Sequence, residues 1–216
     1  DETTQDALSH YTRDLFARED EALRAIRARS DAHGLPRIHI RPEEGLMLQF
    51  LLTAIGARRV VEIGTLAGYS GTWMARALPA GGRLITLEID PEHAAVARES
   101  FEQAGVADRV EVRVGHALES LKALSDEGPF DAVFIDAAKR DYPAYLDWSV
   151  ENIRTGGLIM AHNAFWHGRV VRPDWQDNPD VKGLQLFNRR LAEDPRLLAT
   201  IIPVGDGIAV AVRLAE

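Results

Sequence analysis

The stretch GGLIMAHNAFWHGRV, residues 156–170, runs an apolar segment into a histidine and an asparagine. Side chains at the end of a buried strand can do one of three things. His162 and Asn163 could ligate a metal ion, move a proton, or simply tie off the strand. A second candidate is VVEIGTLAGYSG, residues 60–71, which reads as a strand, a glycine turn and the start of a helix. Gly64 and Gly68 let the backbone approach a ligand closely, and the helix behind them offers unpaired N–H groups. The spacing is G-x-x-x-G, which is neither the dinucleotide fingerprint nor a P-loop. Glu88 closes the next apolar run, LITLEID, where doubly wound folds place an acid on a ribose diol. Gly115, His116 and Ala117 open the helix after the third strand and could line an adenine pocket. Turn and acid together point to an adenosine-type cofactor.

The elements that must position these residues alternate. From residue 58 onward short apolar runs (RRVVEIG, GRLITLEID, RVEVRVG, FDAVFIDA, GGLIMAHN) are separated by helical segments. That pattern predicts βαβ units, a parallel sheet and helices on both faces. After a helix over 181–193, RLLATIIPV and GIAVAVRL flank a GDG turn and predict an antiparallel pair. Upstream, residues 4–30 read as one amphipathic helix. DAHGLPRIHIRP is a break, and Pro42 opens a second helix with Glu43 and Glu44 in its first turn. The 216 residues carry a net charge of −8 and no cysteine. Disulfides, thiolate metal sites and cysteine nucleophiles are therefore excluded. The acidic balance argues against a nucleic-acid partner, no run is long and apolar enough for a membrane span, and a cytoplasmic location fits. The expected organisation is one domain over 1–216, with a helical cap over 1–41 and a Rossmann-like core over 42–216.

VVEIGTLAGYS, LEID, FIDAAKRDYPAY, GGLIMAHNAFWHGRV and IIPVGDGIAVAV occur in the order seen in class I S-adenosylmethionine-dependent O-methyltransferases. The chain resembles the cation-dependent catechol and caffeoyl-CoA type, in its small bacterial form, from about Ile38 to the C-terminus. The resemblance implies a Rossmann-like seven-stranded, mostly parallel sheet with the last strand antiparallel, plus extra N-terminal helices. It implies that Glu62, Gly64 and Gly68 flank the methionine part of the cofactor and that Ser70 binds its carboxylate or amino group. Glu88 would hold the ribose and Ala117 the adenine. Asp136 would be both a metal ligand and a neighbour of the cofactor amine. Lys139 would accept the substrate proton and residues 162–163 would complete the metal site; a lysine with a depressed pKa next to that cation could take the proton. A homodimer and a small hydroxylated aromatic substrate are implied as well.

His162 departs from the pattern, which has aspartate there. Magnesium and calcium want oxygen ligands, whereas imidazole suits zinc, manganese and similar ions. Three readings stay open. Asp136, His162 and Asn163 bind a divalent metal (magnesium, manganese or zinc, with the imidazole favouring a nitrogen-loving one), or His162 acts as a general base without metal, or it is structural. Phe165, Trp166 and Trp175 could wall an aromatic ring, and Arg37, His39 and Arg41 could meet an anionic substituent. An NAD-type oxidoreductase and a non-catalytic cofactor-binding module are the alternative functions.

Overall fold

The computed structural model describes residues 2–215. At its centre is a seven-stranded sheet: β1 Arg59–Ile63, β2 Arg83–Glu88, β3 Val110–Val114, β4 Phe130–Ile135, β5 Ile153–Ala161, β6 Leu197–Ile202 and β7 Ile208–Arg213. The strand order is β3-β2-β1-β4-β5-β7-β6. The pairs from β3 to β5 are parallel, while β7 runs antiparallel to both β5 and β6. The mostly parallel sheet with a reversed last strand is therefore as expected.

The strands are apolar on both faces because helices cover both. Side chains alternate along a strand, so Val60, Leu84, Ala132, Phe134, Leu158 and Met160 enter one core. Their neighbours Val61, Ile85, Val133, Ile135, Ile159 and Ala161 enter the other. Helices α2 Glu21–Ala32, α3 Pro42–Ala54, α4 Tyr69–Ala77 and α5 Pro91–Gln103 contribute to the first core. Helices α6 Ala117–Leu124, α7 Tyr142–Asn152 and α8 Pro179–Glu193 contribute to the second.

The helix expected over 4–30 is two helices, α1 Glu2–Leu15 and α2. The break has a local cause. The Asp20 carboxylate accepts the Leu23 N–H at 3.0 Å and caps α2. That side chain satisfies an amide at a helix start. Ala17, fully buried in the linker, folds the bend against the protein.

Ladder hydrogen bonds continue one residue past the strand ends and line up the functional positions. The Gly64 N–H donates to Leu87 O at 3.0 Å, Asp136 to Ile63 O at 2.8 Å, and His162 to Ile135 O at 3.0 Å. Gly64, Asp136 and His162 thus stand side by side at the C-terminal edge of β1, β4 and β5. The chain turns from one half of the sheet to the other between β1 and β4, and ligands of open α/β sheets bind at that switch. Gly64 takes φ +104°, and any Cβ there would collide with the Asp136 backbone carbonyl.

The turn carrying Lys139 is fixed from outside by α8. A Cβ on Gly183 would come within 2.6 Å of both Arg140 Cα and Lys139 O. Overpacking against backbone costs about 1–3 kcal/mol. Gly183→Ala is expected to lower the thermal midpoint by several degrees. Denaturation of the cofactor-free protein checks this, and an unchanged midpoint contradicts it.

Candidate active site

A cleft of about 790 Å³ opens along this edge. Gly64, Ser70, Glu88, Ala117, Asp136, Lys139, His162 and Asn163, all expected in the site, line it. Glu62 and Gly68 do not. Glu62 is fully buried behind the cleft, and Gly68 packs on the Phe101 ring, which leaves no room for a Cβ.

One end of the cleft is built on carboxylates. Glu62 Oε1 accepts from Ser70 Oγ at 2.5 Å, and Oε2 from Thr86 Oγ1 at 2.6 Å. Thr86 faces Glu62 across the β1–β2 register. Burial pushes the Glu62 carboxyl up to about 8, against the two hydroxyls and with help from Asp136 and Glu88. Glu88 Oε2 accepts the N–H groups of Leu66 at 2.8 Å and Thr65 at 3.3 Å, and Oε1 that of Asp90 at 3.0 Å. Glu88 therefore shapes the glycine turn, and Oε1 retains a lone pair for a ligand hydroxyl. Leu66 is held at φ +51° in that turn. His116 precedes α6 at its N-cap position and lines the cleft, with no side-chain cap bond.

The other end gathers charges. Lys139 Nζ donates to Asp136 Oδ1 at 3.0 Å and to Tyr142 Oη at 2.6 Å. Burial alone would lower the lysine pKa, but Tyr142 and Asp136 beside it raise it above the usual lysine range. In these surroundings Tyr142 and Asp136 outweigh desolvation, so the shift is opposite in direction to the one expected of a lysine beside a bound cation. Asp136 is held well below the ordinary carboxylate range, since Lys139 and His162 outweigh its burial.

His162 is buried between two carboxylates. Its Nε2 lies 3.0 Å from Glu44 Oε1, and its Nδ1 lies 3.3 Å from Asp136 Oδ2. Only the first contact is an aligned hydrogen bond; Nδ1 is buried with no hydrogen-bond partner. Burial would lower the histidine pKa, yet Asp136 and then Glu44 raise it to about 10. Asn163, at φ +56°, donates through Nδ2 to Asp206 Oδ2 at 2.8 Å. Its amide oxygen accepts no hydrogen bond among the described residues. Asp206 Oδ1 accepts the His167 N–H at 2.7 Å, and so clamps the loop after β5.

Of the aromatic wall, Trp166 lines the cleft and Phe165 and Trp175 do not. Phe165 packs on Gly207. Trp175 stacks on Arg169, whose guanidinium lies 4.1 Å from its ring centre and 4.9 Å from that of Trp166. Arg37, His39 and Arg41 line the cleft, as does His167. Glu44, Tyr142 and Asp206 were not foreseen as site residues. Glu44 read as a helix-start acid, Tyr142 as a helical residue, and Asp206 as a hairpin residue. Among the described residues no group of three or more His, Cys, Asp or Glu is arranged to hold a metal ion, and no helix is long and apolar enough to cross a membrane.

Glu62 sets a pH dependence whose sign is fixed. Its folded pKa lies above the unfolded value, so the unfolded chain releases its proton first as pH rises. The stability Glu62 contributes is complete below about 4.5 and is lost as pH climbs through about 8. Glu62→Gln should therefore gain thermal stability relative to the parent protein between pH 5 and pH 8. Paired melting curves of the cofactor-free proteins measure this, and a difference that does not change with pH contradicts it.

The profile of a family described as O-methyltransferase matches residues 13–214, a longer span than the expected start near Ile38. The chain is 42% identical over 214 residues to a catechol O-methyltransferase of Niastella koreensis, covering 96% of each protein. It is 45% identical over 198 residues to a catechol O-methyltransferase of Mycobacterium tuberculosis, covering 89% of each. The crystal structure of a Bacillus cereus O-methyltransferase in complex with SAH superposes with a TM-score of 0.90 at 39% identity, over 96% of this chain and 97% of that one. With the cleft at its switch point, its edge residues in register and matches of this extent, the chain belongs to the O-methyltransferase family.

Proposed function

We propose that the chain transfers the methyl group of S-adenosylmethionine to a hydroxyl of a small aromatic acceptor of catechol type. The observation that carries this reading is the position of Asp136. It stands between Gly64 on the cofactor side and Lys139 and His162 on the other, in one cleft. The relatives named for catechol and the one that holds SAH support the two ligand classes. Family membership removes the oxidoreductase alternative. The same reading takes the protein as a cytoplasmic homodimer working as one unit over 1–216. The exposed Leu8, Tyr11, Leu15 and Phe16 on and just after α1 support the dimer.

In this reading Ser70 and Asp136 receive the amino acid part of the cofactor, the free lone pair of Glu88 the ribose, and the Gly115–Ala117 backbone the adenine. The sulfonium cofactor supplies an electrophilic methyl carbon. Holding an oxygen in line with it supplies much of the acceleration. Trp166 limits where a flat ring can lie, because Arg169 and Trp175 hold it from behind.

The residues fit a divalent cation. Nδ1 of His162 is buried, lacks a hydrogen-bond partner and stands 3.3 Å from a carboxylate oxygen. Two donors of one ion stand about that far apart at metal–ligand distances of roughly 2.1 Å. Asp136 Oδ2, His162 Nδ1 and Asn163 Oδ1 would hold it, two acid or imidazole side chains and one amide. A bound cation would supply positive charge that favours the deprotonated acceptor oxygen. Lys139 adds a second positive charge on the other oxygen of Asp136. Lys139 is the group that would accept the hydroxyl proton, because a cation bound at Asp136 would offset the carboxylate charge that otherwise holds the lysine protonated. His162 is no free base in this reading, since Glu44 holds its Nε2 and its Nδ1 would face the ion.

Methyl transfer to a catechol panel, assayed with EDTA and then with magnesium, manganese or zinc, tests the whole reading. Activity lost in EDTA and restored better by manganese or zinc than by magnesium is expected. No transfer to any catechol contradicts the acceptor class, and full activity in EDTA contradicts the cation. S-adenosylhomocysteine at a hundred times its Kd should add about 2.7 kcal/mol of stability. The absence of any thermal shift contradicts the cofactor.

A further inference from the structure

Glu44 lies outside the residues given a role so far, yet it bonds to three separate segments around the site. It is 2% exposed, in the first turn of α3. Its Oε1 accepts from His162 Nε2 and from the Asp206 N–H, both at 3.0 Å, and its Oε2 accepts the Arg41 N–H at 2.6 Å. Two of the three donors are backbone amides. A carboxylate already serving as acceptor to both has lone pairs to offer the ring and no proton. The ring nitrogen facing it must therefore be the donor, so Nε2 carries hydrogen. Nδ1 is then the nitrogen turned toward Asp136 Oδ2, and an ion bound there would take the place of its proton. Gly205 closes the arrangement from the hairpin side, where any Cβ would overlap the Glu44 carboxylate. A carboxylate on the far nitrogen of a ligating imidazole fixes its tautomer and its orientation and raises its basicity.

We infer that Glu44 is a positioning residue for a cation site. It pins the Nε2–H of His162 so that Nδ1 is presented, beside Asp136 and Asn163, to a divalent ion that accepts nitrogen. The inference rests on the cation reading given under Proposed function and goes beyond it. It assigns the nitrogen that ligates, the residue that selects it, and the physical basis of a preference for borderline metals over magnesium.

Cobalt(II) alone is the probe, because its visible spectrum reports nitrogen ligation directly. It is titrated into the full chain with S-adenosylhomocysteine present. The parent protein should bind one cobalt per chain with a d–d band that is lost in His162→Asn. Glu44→Ala should weaken cobalt binding 10- to 100-fold, the usual effect of removing such a partner, and should shift the band. Glu44→Gln keeps an oxygen for the ring N–H and should recover most of the affinity and the parental band. S-adenosylhomocysteine affinity, unchanged within about twofold, verifies that each variant is folded. Should Glu44→Ala fail to fold, Glu44→Gln decides alone: a band lacking the nitrogen signature, with affinity as low as in His162→Asn, overturns the inference. Parental affinity and spectrum in a folded Glu44→Ala overturn the role of Glu44 and leave the cation reading standing. A parent protein that binds no cobalt overturns both.

Discussion

One buried carboxylate ties together segments that are far apart in the chain. Glu44 belongs to α3, yet its bonds reach Arg41 before that helix, His162 at the end of β5 and Asp206 in the β6–β7 turn. Burying an unpaired carboxylate is costly, and burying one with several donors is not. All three donors must therefore be present together, which sets the loop after β5 against the last hairpin. Asp206 then extends the constraint by holding Asn163 and His167. The positive φ values at Asn163, Trp166 and His167 are tolerated because of that clamp. Strain of this kind persists where its surroundings over-determine it.

The same logic runs through the electrostatics of the cleft. Glu62, Glu88 and Asp136 are acids at or under one sheet edge, and each is settled differently. Glu62 has only hydroxyl partners, so burial dominates and its carboxyl stays protonated to about pH 8. Glu88 is bound by three backbone N–H groups. Asp136 is flanked by Lys139 and His162 and remains ionised. An acid bound to hydroxyls, an acid bound to backbone amides and an ion-paired acid lead from beneath the glycine turn to the far end of the cleft.

Much of this could be read from the sequence, and the remainder could not for physical reasons. Alternating apolar runs fix β1 to β5, because parallel strands buried on both faces admit little else. The GDG turn fixed the reversed β7. Gly64, Glu88, Asp136, Lys139 and His162 were legible because each ends or follows a strand, where the topology makes a cleft. The α1–α2 break was hidden, since Asp20 looks like any charged residue on a solvated helix face until its cap bond to Leu23 forms. Glu44 was hidden for a similar reason. An acid in the first turn of a helix already has a sufficient local explanation in the helix dipole. Only the tertiary fold, which brings residues 118 positions apart to 3.0 Å, gives it a second one.

In the proposed reading, the identity of residue 162 decides what kind of cation this edge can take. The direct measurement is isothermal titration of magnesium and of manganese into the parent chain and into His162→Asp, both saturated with S-adenosylhomocysteine. If Nδ1 of His162 is a ligand, the parent protein binds manganese more tightly than magnesium, and the aspartate variant shifts that ratio at least tenfold toward magnesium. An identical ratio in the two proteins would contradict it.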